Sequence, residues 1–177
     1  MPSINVSLFN QVLGCIDRHL FNKVVAKHEA DKNNKGINTW THFMSMLFMQ
    51  LGNLNSLRDI CTGLRSATGN LSHLGIKRPP CKSSLSYINR HRKADVFEAL
   101  YFLLLESFEP SLKRRRIHAR RIKRQLFIMD SSVISLSLSL FDWAKFRTTK
   151  GAIKLHAVMD YDTDLPSYAV ITDGKNM

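Results

Sequence analysis

The segment QLFIMDSSVISLSLS, Gln125 to Ser139, decides the fold. Four apolar residues, Leu126 to Met129, run into a carboxylate, Asp130, and then into Ser131 and Ser132. A short apolar run bounded by small polar residues predicts a strand, and the acid marks its expected end. The first hundred residues carry the spacing of helices, and from Gln125 onward the period changes to that of strands. The two halves predict an α+β chain.

Upstream, Ser7 to Lys27 places Leu8, Val12, Ile16, Leu20 and Val24 four residues apart, a helical stripe that Gly14 should bend or break. KNNKG, Lys32 to Gly36, is turn chemistry. Asn38 or Thr39 can cap the next helix, which carries Trp40, Phe43, Met44, Leu47, Phe48 and Leu51 and stops at Gly52. Asn55 or Ser56 can cap LRDICTGLR. Pro79 and Pro80 enforce a loop, after which Ser83 or Ser84 can cap a long helical segment to Phe108 with a break near Ala94.

Downstream, Ile153, Leu155, Ala157 and Met159 alternate onto one face, and Tyr168, Val170 and Thr172 alternate against Ala169 and Ile171. An Asp-Thr-Asp turn followed by Pro166 joins them as a hairpin. The expected organisation is a helical domain over residues 1–110, a basic connector over 111–125 and the opening of a β-rich domain over 126–177. The chain stops at a turn just past a strand, so it reads as the front part of a larger α/β domain.

Charge narrows the partners. The net charge is +12 and the isoelectric point about 10.0. Lys113, Arg114, Arg115, Arg116, Arg120, Arg121, Lys123 and Arg124 supply eight of the 26 cations. Without them, 18 cations face 14 acids, a surplus of only +4. A block of this density meets a polyanion, nucleic acid before anionic membrane. Three scattered cysteines, Cys15, Cys61 and Cys81, make neither a zinc ribbon nor a secreted disulfide framework. No basic segment followed by an apolar one opens the chain, and Ala99 to Leu105 is too short to span a bilayer. A cytoplasmic, nucleoid-associated protein with no membrane segment is expected.

Three blocks together resemble the first strands of bacterial DDE transposases of the insertion-sequence-four type. They are Asp130-Ser131-Ser132, Lys154-Leu155-His156 and the turn Thr172-Asp173-Gly174-Lys175. SLRDI, Ser56 to Ile60, and SSLSYINRHR, Ser83 to Arg92, resemble the helical front of the same branch. The resemblance implies an RNase H-like fold in which two Asp and one Glu hold two Mg²⁺ (or Mn²⁺) ions for phosphodiester cleavage and joining. Asp130 matches the first acid, as catalytic residue and metal ligand. The second Asp and the Glu would follow later than this sequence runs, and Asp160, Asp162, Asp164 and Asp173 match neither. The chain is therefore expected to be an N-terminal fragment, inactive in strand transfer alone, with the metal needed only by a full-length enzyme. Its expected partner is the duplex at the ends of a mobile element, bound as a monomer or a homodimer.

Each candidate also has a plainer role. Asp130 can simply cap the turn after its strand. Ser84, Arg90 and Arg92 can contact phosphates from the start and side of one helix, or form the solvated face of an ordinary amphipathic helix. The run containing Arg114, Arg115, Arg116, Arg120, Arg121, Lys123 and Arg124 can hold a DNA backbone or serve as a soluble linker. Lys154 and His156 share a strand face, and can contact DNA near Asp130 or be surface residues. The remaining histidines show no ligand spacing. A second class of function stays open beside the transposase: a DNA-binding fragment or regulator with no catalysis. An RNA binder would want exposed sheet aromatics or a G-x-x-G loop, and a membrane-surface protein a clean amphipathic anchor; neither is evident.

Overall fold

The computed structural model describes residues 6–67, 71–116, 126–136, 145–147, 150–161 and 163–173. Within them are six helices followed by four strands, the α+β order expected. The chain divides into two compact units, Met1–Leu104 and Leu105–Met177. No described helix is long and apolar enough to cross a membrane.

The first unit holds α1 (Val6–Gly14), α2 (Arg18–Lys27), α3 (Thr39–Leu51), α4 (Leu57–Ser66), α5 (Lys82–His91) and the start of α6 (Asp95–Arg116). The stripe from Ser7 to Lys27 does break after Gly14. Asp17 restarts it by accepting hydrogen bonds from the amides of His19 at 2.7 Å and Leu20 at 3.3 Å. Asn38, and not Thr39, caps α3, accepting from Thr41 N at 2.8 Å. Ser56 caps α4 by accepting from Asp59 N at 3.2 Å, while its hydroxyl donates to Asp59 Oδ2 at 2.7 Å.

The apolar stripes converge on a core that includes Phe9, Phe21, Trp40, Met44, Phe48, Ile60, Leu64, Leu74, Ile76, Leu85 and Leu100. Phe21 meets Trp40 edge to face at 4.9 Å, and Phe9 meets Phe48 likewise at 5.5 Å. The indole Nε1 of Trp40 donates to Leu74 O at 2.8 Å. That bond requires the chain to pass tightly over the ring at Gly75, whose φ is +67° and where a Cβ would lie 3.0 Å from Nε1. Arg18 covers the indole, its guanidinium carbon 3.5 Å from the ring centroid.

Two helix boundaries differ from expectation. Cys81, not Ser83 or Ser84, holds the cap position of α5, so both serines lie inside its first turn. The two prolines before Cys81 bring the chain in extended, and helix begins at the first residue free of them. The long segment does break after His91, but α6 then continues past Phe108 and Pro110 to Arg116. Pro110 costs the helix a backbone hydrogen bond but does not end it, and the residues after it, Leu112, Lys113 and the arginines, are good helix formers. Residues 111–116, placed in a connector by sequence, are thus helical.

The second unit contains a sheet of β1 (Phe127–Leu136), β2 (Lys145–Arg147), β3 (Lys150–Asp160) and β4 (Leu165–Asp173). β3 is central, antiparallel to β1 on one side and to β4 on the other. The three-residue β2, not foreseen, pairs with Lys150 and Gly151 ahead of β4. The predicted hairpin is present, closed by Asp164 at φ +54° with its amide donating to Asp160 O at 2.9 Å. Asp130 does not end its strand. β1 runs six residues further, pairing without interruption from Phe127↔Asp160 to Leu136↔Gly151. Val133, Ile134 and Leu136 keep the strand propensity high.

Candidate nucleic-acid interface

In an antiparallel ladder, directly paired residues share a face and neighbours along the strand alternate. Asp130 pairs with Ala157, so it shares its face with Ile153, Leu155 and Met159. His156 pairs with Ser131 and with Val170, and Lys154 with Val133 and Thr172. Lys154 and His156 therefore occupy the opposite face from Asp130. The structure does not bring these three candidates into one site. His156 Nε2 lies 3.0 Å from Thr172 Oγ1, a cross-strand hydrogen bond that fixes the ring.

Asp130 is exposed and has no hydrogen-bond or ion-pair partner among the described residues. The acid nearest in the ladder on its face is Asp173, opposite Ile153 and four residues along β3 from Ala157. At about 3.3 Å per residue along the strand, that gap prevents the two carboxylates from sharing an ion. Among the described residues no three His, Cys, Asp or Glu side chains gather as a metal site. Mg²⁺ wants near-octahedral oxygen coordination, and Asp130 offers a single ligand group, so these residues do not by themselves make the two-ion centre that the transposase resemblance implies.

Arg90 is exposed on α5. Arg92 is not. Its side chain is 4% exposed; Nη2 pairs with Asp31 Oδ1 at 3.3 Å and donates to Ile37 O at 2.9 Å. The α5–α6 break turns the chain at Arg92 and directs the guanidinium into the fold, away from the solvated helix side assigned to it from sequence. Burial lowers its pKa, which the Asp31 carboxylate partly restores. Asp31 Oδ1 also accepts from Thr39 N at 2.7 Å, Thr39 Oγ1 at 2.8 Å and Asn34 Nδ2 at 3.3 Å.

Ser84 is half-buried, its hydroxyl 2.9 Å from Cys81 Sγ; Ser83 Oγ lies 3.3 Å away. Hydrogen bonds from these serines, Ser83 first, pull the Cys81 thiol down to about 7. Arg114, Arg115 and Arg116 fall in the last turn of α6, and Arg120, Arg121, Lys123 and Arg124 lie outside the described residues.

The structure also shows a feature that sequence did not single out. A crevice of about 980 Å³ opens in the first unit between residues 28–37 and the α5–α6 corner. Ser84 and Arg92 line it, as do Lys35, Tyr87, His91 and Lys93. The one early signal was the turn composition of Lys32 to Gly36, which gave no hint that this loop faces α5.

Residues 5–77, covering α1 to α4, match the family model of DUF4372, a domain of unknown function. No curated protein and no solved structure gives a significant match.

Proposed function

We propose that this chain is the DNA-binding front of a DDE-type transposase, acting in the cytoplasm on the duplex ends of a mobile element. The observation that carries it is the charge distribution: eight cations within Lys113–Arg124, set between a helical unit and a sheet whose first strand bears Asp130. The N-terminal match supports it, since that domain is found in transposase-like proteins. So does the place of Asp130 on β1, which pairs only with β3 among the described strands and leaves its other edge able to take a further strand. Binding and cutting separate here. Cutting needs two more acids beside Asp130, whereas binding needs none, so duplex binding is the part of this reading that can be tested on its own.

The test is duplex affinity across a salt series. Neutralising Arg114, Arg115, Arg120 and Arg121 to Gln should reduce the slope of log K against log salt by about 3–4, roughly one for each phosphate no longer neutralised. An unchanged slope makes the run a linker; absence of any duplex binding by the wild type sinks the proposal.

A further inference from the structure

We infer that the crevice between residues 28–37 and the α5–α6 corner is a seat for a phosphate group, and that in the duplex-binding role proposed above, on which this rests, the phosphate belongs to the DNA backbone. It would be a second point of attachment, separate in sequence from the 113–124 block.

Free positive charge lines the crevice. Lys35 and Lys93 are exposed and have no acidic partner among the described residues. Lys32 also lines it but is held by Glu29 at 2.8 Å, so each neutralises the other. The remaining acid of the lining, Asp95, stands in the first turn of α6, where the helix amides offset its charge. The positive end of α5 adds to the field at Ser83 and Ser84.

Arg92 supplies an independent observation. It lines the crevice with its side chain 4% exposed, and its Nη1 is buried with no acceptor among the described residues. A buried guanidinium nitrogen without a partner is rare in a folded protein and marks a place where an acceptor belongs. A phosphate oxygen is such an acceptor once the guanidinium turns from the interior toward the crevice, and Arg is the side chain best shaped for it. Tyr87, 62% exposed and stacked on His91 at 4.1 Å, gives the crevice a flat apolar wall against which a sugar can lie.

The experiment uses the full chain labelled with ¹⁵N, titrated separately with inorganic phosphate and with a duplex of about twenty base pairs, beside affinity measurements on the double variant Lys35→Glu, Lys93→Glu. Both positions are exposed, so the variant should fold; an unchanged melting temperature checks this. We expect both ligands to shift the amides of Lys35, Ser83, Ser84 and Lys93, and the variant to lose at least about tenfold in duplex affinity near 0.1 M salt. Wild-type binding to the duplex with those amides unmoved and the variant equal to wild type overturns the seat while leaving the proposed function standing. If the wild type binds no duplex but inorganic phosphate still moves the amides, the seat stands as a free-phosphate site and the DNA role falls. Silence toward both ligands overturns both.

Discussion

Cys81 shows how position changes a residue's chemistry. Cys15 and Cys81 are both exposed and Cys61 is buried, so exposure alone would rank the first two as equals. The hydroxyls of Ser83 and Ser84 separate them by holding the Cys81 thiolate. Burial raises the Cys61 thiol instead, and the nearby Cys81 adds to the rise. At pH 7 Cys81 should be alkylated by iodoacetamide several-fold faster than the buried Cys61, because the thiolate is the nucleophile. Ser83→Ala should narrow that gap, read by mass spectrometry of the labelled peptides. None of this was legible beforehand. The sequence offered two serines as caps, and only the extended entry from Pro79 and Pro80 moves the cap back to a cysteine.

At the scale of elements, much was legible and the misses share a cause. The break after Gly14, the cap at Asn38, the stop at Gly52 and the hairpin all arise from local chemistry that tertiary packing reinforces. The end of β1 and the end of α6 do not. Asp130 looks like a terminus because a carboxylate is a poor strand former, yet ten consecutive pairs with β3 override that preference. Pro110 looks like a terminus for the same kind of reason, and it does not end the helix either. Helix α4 carries a further constraint hidden in its sequence, Gly63. A Cβ there would lie 2.7 Å from Cε1 of Phe48, a ring only 4% exposed and packed edge-on against Phe9. Gly63→Ala should therefore destabilise the chain by about 1–2 kcal/mol, the strain of overpacking outweighing the roughly 1 kcal/mol that alanine usually adds inside a helix. Urea denaturation measures it; a stabilised variant would mean the ring yields freely.

At the scale of the whole molecule, acid should weaken the helical unit through His42. This side chain is 3% exposed, with Nε2 3.2 Å from Asn89 Oδ1. Burial lowers its pKa from the ordinary 6.5; the Asn89 hydrogen bond works against that shift and the charge of Arg92 adds to it. The folded state thus prefers the neutral ring, and the unfolded chain takes up the proton first. Stability from His42 is full above about pH 6.5 and declines as pH falls from there toward the folded pKa, by at most about 1.4 kcal/mol per unit. Melting temperatures from pH 7.5 to 5 should show the decline, and His42→Gln should flatten it. A slope equal to wild type in that variant would assign the effect to other histidines. The candidate site was less legible than the fold. Strand alternation set Lys154 and His156 on a common face, but only the register with β1 reveals that Asp130 faces the other way.

Asp31 ties these scales together. One of its oxygens takes four donors, from Asn34, from both the amide and hydroxyl of Thr39, and from Arg92 across 61 residues of chain. Because all four donors lean on one carboxylate, removing Asp31 would loosen the loop, the head of α3 and the α5–α6 corner together.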